Sequence, residues 1–132
     1  MIVLDTHVLI WWAAHELTEL SSKARKAIDR ELEEGSIAVS SISAWELAML
    51  VAAGRLSLTM DVAAWLNNVA QIEALRFVPV DNEIAVASTR LPGEFHKDPA
   101  DRIIVATARK IAAPLLTADR KIRDYPHVHT IW

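Results

Sequence analysis

The sequence contains no cysteine. Disulfides and thiolate-held metals are therefore excluded, and any bound metal must sit on oxygen or imidazole. The same absence fits a cytoplasmic protein. Glycine is scarce: there are three, Gly35, Gly54 and Gly93, each where an element is expected to end. No apolar run approaches the roughly 20 residues of a membrane span. The apolar stretch from Val8 to Ala14 follows Asp5 and His7 rather than a basic region, so it is not expected to be a signal peptide. Excess positive charge is also missing, with 14 Lys and Arg against 17 Asp and Glu, a formal charge of −3. A protein that holds nucleic acid through phosphates alone is usually basic, which argues against a non-specific binder. A nuclease is not excluded, because a bound metal ion supplies positive charge where the phosphate sits.

What is present is apolar: 52% of 132 residues, above the usual share for soluble domains. One domain, 1–132, is expected, with helices packed closely on a sheet or a buried oligomer interface. Short apolar runs with β-branched residues at Met1–Leu4, Ile37–Val39, Phe77–Val80, Leu115–Thr117 and Val128–Trp132 read as strands, the third an edge or a strand end because of Pro79. Between them lie helical segments: His7–Ala14, Ser21 or Ser22 to Glu34, Ala44–Ala53, Asp61 to about Leu75, Asp81 to about Arg90, and Asp98-Pro99 to about Ala112. Their starts carry Ser, Thr or Asp caps, and Gly35 and Gly54 mark two of their ends. One serine among Ser40, Ser41 and Ser43 is expected to cap the third helix. Strands alternating with helices predict an α/β fold, a three-layer α/β/α sandwich on a mostly parallel sheet of four to five strands with right-handed crossovers.

In such sheets the functional cleft lies beyond the carboxyl ends of the strands. Asp5 ends the first strand and Asp119 follows the Leu115–Thr117 strand. Glu46 lies in the first turns of the helix after the second strand, within the apolar run Ala44–Val51, where a charge is expensive without a partner. Asp98 and Asp101 open a helix at spacing i, i+3 and share a face. Each acid has an ordinary structural alternative, chiefly capping for Asp5, Asp98 and Asp119. Gathered at one rim they repel one another and raise a neighbour's pKa. A hard divalent cation, magnesium or manganese, relieves that conflict.

Four segments, in order, resemble the PIN domains, and in detail the VapC-type toxins of bacterial toxin–antitoxin pairs. They are Leu4-Asp5-Thr6-His7-Val8-Leu9-Ile10-Trp11, Ser41-Ile42-Ser43-Ala44-Trp45-Glu46-Leu47-Ala48, the stretch from Phe95 to Ala108, and Leu115-Leu116-Thr117-Ala118-Asp119. The resemblance covers essentially the whole chain. It implies a metal-dependent endoribonuclease that hydrolyses RNA phosphodiester bonds, a homodimer inhibited by a cognate VapB-like antitoxin. It assigns Mg2+ or Mn2+ binding and catalysis to Asp5, Glu46, Asp101 and Asp119. It also separates Asp101, the general third acid, from Asp98, an extra acid of a subgroup marked by Asp-Pro-x-Asp-Arg, acting as a helix cap, an indirect ligand or a ligand to a second ion.

Around the acids, Thr6 and Thr117 can hydrogen-bond a carboxylate or the attacking water, or serve as a cap and as strand packing. Lys97, Arg102, Arg120 and Lys121 are candidate phosphate contacts, against the alternative of solvated charge; Arg102 is alternatively paired with Asp98 one turn away. His96 is expected to anchor its loop rather than act in acid–base chemistry, and His7 to pack beside Asp5. His127 and His129 alternate on a terminal strand, which their polar positions explain without metal. Trp11, Trp12, Trp45 and Trp65 have apolar helical neighbours and read as core or dimer contacts. The rival readings are an inert PIN-fold module that binds RNA or protein, a DNA nuclease on the same fold, and a phosphoacceptor receiver domain. The last needs a second acid beside Asp5 and a lysine on a late strand; the sequence has Thr6 and none.

Overall fold

The computed structural model describes all 132 residues. Five strands, β1 (Ile2–Leu4), β2 (Ile37–Ser40), β3 (Leu75–Val78), β4 (Leu115–Leu116) and β5 (Thr130–Ile131), form one sheet in the order β3-β2-β1-β4-β5. Every pairing is parallel. Parallel neighbours need crossovers, and helices supply most of them: α1 (Thr6–Ala13), α2 (Ser22–Glu34), α3 (Ile42–Ala52), α4 (Val62–Ala70), α5 (Asn82–Thr89), α6 (Pro99–Lys110) and the short α7 (Arg120–Arg123).

Strand residues alternate between two cores, as a period of two dictates. Ile2, Leu4, Ile37, Val39 and Leu116 face a cluster with Val8, Leu9, Ile28, Leu47 and Val69 from α1 to α4. Val3, Ala38 and Leu115 face the other way, against Ile84, Ile104, Val105 and Ile122 from α5 to α7. The result is the expected three-layer sandwich, with a wholly parallel sheet.

The chain runs outward from β1 through β2 and β3, then returns to lay β4 on the other flank of β1. The crevice at a parallel sheet opens where strand order reverses in this way, beyond the strand ends. Here that point lies between β1 and β4, paired Leu4 to Leu116. Asp5 follows one strand, and Thr117 and Asp119 follow the other.

Some boundaries differ from expectation for identifiable reasons. The helix expected from Asp61 to about Leu75 stops at Ala70. Leu75 and Arg76 instead pair with Ile37 and Ala38, which buries Leu75 in the first core. β3 is an edge strand that ends before Pro79, whose missing N–H cannot extend a ladder. The third helix begins at Ile42, two residues earlier than expected, with Ser41 as its cap residue but no side-chain cap bond. Gly54 ends it in the left-handed conformation (φ 70°), as its position suggested. The shortage of glycine shows elsewhere: α1 and α6 are followed by left-handed His15 and Ala112 (φ 57° and 52°), a conformation that costs L-residues about 1–2 kcal/mol.

Candidate active site

The acids expected to converge do so. Asp5, Glu46, Asp98, Asp101 and Asp119 line one cleft of about 380 Å³ at the carboxyl rim, with Thr6, His7 and Trp11. The elements that place them also explain why aspartate stands at these positions. Asp5 caps α1, accepting from the Val8 amide through Oδ1 at 2.9 Å. Asp98 caps α6 through Oδ1 to the Asp101 amide at 2.9 Å, with Pro99 in the first turn. Asp119 caps α7 through Oδ1 to the Lys121 amide at 2.8 Å. Capping and a functional role are thus not alternatives here, because each cap uses Oδ1 and leaves Oδ2 out of the cap. The N-termini of α1 and α6 also place positive partial charge at the rim, which favours anions there.

The cleft is a difficult place for negative charge. Asp5 is 8% exposed, and burial raises its pKa; Thr117 and the Val8 amide oppose the shift, and the Asp101 charge adds to it. Burial likewise raises the pKa of Glu46, against the pull of Thr6, with Asp101 and Asp98 adding repulsion. Asp101 is raised by burial too, with His96 lowering it and Asp98 and Asp119 working against His96.

Two side-chain devices hold the acids. Thr6, 2% exposed, donates its hydroxyl to Glu46 Oε1 at 2.5 Å. Its proton being committed there, the 2.8 Å contact with Ser43 Oγ is a bond that Ser43 donates. Ser43, considered as a cap, is fully buried and belongs to the site instead. Its spacing of i, i+3 to Glu46 puts both on one helical face, a signal that the sequence held. The second device is His96 Nε2 against Asp101 Oδ2 at 2.7 Å. A separation of five residues across a loop and a helix start gives no periodic clue to that pairing. Thr117 is buried, and its hydroxyl accepts from the Asp119 amide at 3.1 Å.

Arg102 departs from both of its expected roles. It neither pairs with Asp98 nor faces the cleft. Nε donates to Ser88 O at 2.8 Å, and Nη1 to Phe95 O and His96 O at 3.0 and 3.1 Å. Three carbonyls left without amide partners at the end of α5 and in the following loop claim the guanidinium, and so fix the loop that carries His96. Arg102→Ala is expected to destabilise the protein by about 1.5–3 kcal/mol, the range for bonds to a charged donor. Lysine should restore little of this, lacking the fork. Urea unfolding midpoints check this; an unchanged midpoint for Arg102→Ala would refute the clamp.

Lys97, Arg120 and Lys121 are exposed and do not line the cleft. Lys121 instead lines an adjoining groove with His96. His127 and His129 lie with Pro114 in a groove by the start of β4, at the opposite rim. Trp11, Trp12 and Trp65 pack against the first core, whereas Trp45 is 53% exposed and is no core residue.

The donors at the cleft suit a hard cation, being carboxylate and hydroxyl oxygens with His7 the one imidazole among them. As placed, no three acids or imidazoles converge tightly enough to close on a single ion. A ring of this kind still fits magnesium or manganese, which retain waters and need only one or two protein carboxylates beside substrate phosphate.

Comparison with known proteins identifies the fold and the family. Ribonuclease VapC22 of Mycobacterium tuberculosis is 39% identical over 133 aligned residues, covering 99% of this chain and 98% of that protein. Among solved structures, VapBC2 from Rickettsia felis bound to a promoter DNA fragment superposes with a TM-score of 0.68 at 17% identity, over 98% of this chain and 97% of the matched one. A toxin–antitoxin complex from Klebsiella pneumoniae gives 0.63 at 22%, over 97% and 95%. The family model for the PIN domain matches residues 2–128, which takes in every acid of the cleft. A parallel sheet reversing at β1 and β4, an acidic rim and a family match over nearly the full length lead to one assignment: this chain belongs to the PIN domain family.

Proposed function

We propose that the protein is a metal-dependent endoribonuclease, the toxin of a type II toxin–antitoxin pair, with Asp5, Glu46, Asp101 and Asp119 as its catalytic and metal-holding residues. The observation that carries the reading is the gathering of these carboxylates, three of them raised in pKa, around a single cleft at the sheet's reversal point. That it cuts RNA is supported by the name of its 39%-identical relative, a ribonuclease. A divalent cation held there supplies a water of lowered pKa and neutralises charge developing on the phosphate.

The chain's own residues do the rest. Asp5 and Asp101 present carboxylate oxygens from the end of β1 and the first turn of α6, while Asp119 and Glu46 complete or orient the set. Thr6 fixes Glu46, His96 fixes Asp101, and Asp98 stays close as a cap with one oxygen to spare. Lys97, Arg120 and Lys121 stand outside the cleft to meet flanking phosphates.

The partners proposed are an RNA substrate, a VapB-like antitoxin and a second copy of the chain. Complexes named VapBC among the structural neighbours support the antitoxin. Trp45 and Met49, one helical turn apart on α3 and each about half exposed at 53% and 50%, support a homodimer. No helix is long and apolar enough to cross a membrane.

The test is cleavage of a mixed RNA pool with Mg2+ or Mn2+, against the same reaction in excess chelator and against a matched DNA pool. We expect multiple turnovers on RNA, restored by adding metal back. Cleavage that persists in chelator overturns the metal; cutting confined to DNA overturns the substrate; binding without turnover favours an inert module.

A further inference from the structure

Beside the acidic cleft runs a second groove, of about 270 Å³, that none of the five cleft acids lines. Its floor is aromatic. Phe95 is in tilted contact with His96 and with Tyr125, at ring-centroid distances of 4.3 and 4.8 Å. The Tyr125 hydroxyl is bonded to Pro92 O, which pins that ring in place. Glu94, Lys121 and Asp124 line the groove as well, all exposed. None of the three takes part in an ion pair.

Two residues of this groove are tied to acids of the cleft. On one side His96 is bonded to Asp101. On the other, Lys121 follows within α7 from Asp119, whose carboxylate accepts the Lys121 amide. A chain of nucleotides with its reacting phosphate among the acids must leave the cleft somewhere, and this groove lies next to it. Single-stranded RNA is read by stacking its bases on aromatic side chains and by hydrogen bonds to their edges.

We propose that the groove is a nucleotide subsite for single-stranded RNA: the base of a residue flanking the scissile phosphate packs against the aromatic group of Phe95 and His96, and Lys121 takes its phosphate. Glu94 and Asp124 can only accept hydrogen bonds when ionised. They therefore favour a base with an exocyclic amine, as carboxylates do for the amino group of cytosine, over uracil, whose one edge donor, N3–H, is flanked by two carbonyl oxygens that repel a carboxylate. The inference rests on the ribonuclease reading above, and goes beyond it by placing a specificity determinant.

The test uses a randomised single-stranded RNA library with cut ends sequenced, alongside KM, kcat and binding of a fluorescent RNA. We compare wild type with Lys121→Ala, Phe95→Leu, which keeps apolar bulk without a ring, and the Glu94→Gln/Asp124→Asn pair. Wild type should disfavour uridine at one position next to the cut. Phe95→Leu should raise KM about 10-fold, near the low end for losing base stacking. Lys121→Ala should reduce the slope of log KM against log salt by about 0.7, one single-strand phosphate contact, a readout that a merely structural lysine does not move. The carboxylate pair should lose the bias against uridine. If RNA is cut but all variants keep the wild-type KM, salt slope and bias, the subsite is wrong and the ribonuclease reading stands. If RNA is bound in a Lys121- and Phe95-dependent way but never cut, the subsite stands and the ribonuclease reading falls. RNA neither bound nor cut overturns both.

Discussion

Asp5→Asn is expected to reduce RNA cleavage on the order of a thousandfold while making the metal-free protein more stable. The loss of activity follows from position: Asp5 stands at the end of the central strand, and removing a group that acts on the reacting atoms costs roughly a hundred- to ten-thousandfold. The gain in stability follows from the same burial. Asparagine is as good a helix cap as aspartate, so the bond to the Val8 amide survives. What disappears is a charge held in a place that disfavours it, since burial and the Asp101 charge both push the Asp5 pKa up. A carboxyl with a folded pKa above its unfolded value contributes stability below the unfolded pKa, and loses it as pH rises through the folded pKa. The melting advantage of Asp5→Asn over wild type, measured in chelator, should therefore be negligible near pH 4 and grow toward neutrality, to about 2–8 °C for ~1 kcal/mol in a domain of this size. Millimolar Mg2+ or Mn2+ should reverse the order by stabilising wild type more than the variant, because only a bound ion shifts unfolding by mass action. Wild-type turnover by Asp5→Asn, or a melting advantage that shrinks as pH rises, would refute this account.

The trade between stability and charge at the rim explains what could be read in the sequence. Helix caps and strand ends are local, so Asp5, Asp98 and Asp119 were visible as residues at the boundaries of elements, and the alternation of elements placed those boundaries at one rim. The two layers were legible for the same reason: a period of two in β1 and β2 divides Ile2 and Leu4 from Val3 without any tertiary knowledge. Tertiary competition was less visible. Leu75 looks like the end of a helix until β2 offers it a parallel partner. Arg102 looks like a phosphate contact until three carbonyls, one at the end of α5 and two in the following loop, all invisible to any pattern of side chains, claim its guanidinium. Trp45 sits in an apolar helix yet faces outward, because α3 presents Leu47 to the core and its opposite side to solvent. Asp98 and Asp101 share a helical face, so periodicity alone could not rank them. In the structure Asp98 is the cap and Asp101 the residue gripped by His96.

Thr6→Val should lower cleavage about 10- to 100-fold, the usual effect of removing a residue that orients a metal-site carboxylate. Valine matches threonine in shape, so the change is confined to one hydroxyl, and that hydroxyl has two duties. It donates to Glu46 and accepts from Ser43. Without the first bond, Glu46 loses the strongest influence opposing its burial, and its pKa, already raised, rises further. The acidic limb of the pH–rate profile should accordingly move to higher pH. Without the second, the Ser43 hydroxyl remains buried with no acceptor, which costs about 1–3 kcal/mol. Stability should thus fall in Thr6→Val, in contrast to its rise in Asp5→Asn, although both substitutions damage the same cleft. Thr6→Ser retains the hydroxyl and should recover activity to within a few-fold of wild type. Ser43→Ala should be milder than Thr6→Val, because Thr6 can still donate to Glu46. Combining Thr6→Val with Glu46→Gln should cost little more than Glu46→Gln alone, since groups acting as one unit are not additive. Full additivity in that pair, or an unshifted pH profile in Thr6→Val, would mean that Thr6 only packs and that Glu46 is oriented by something else.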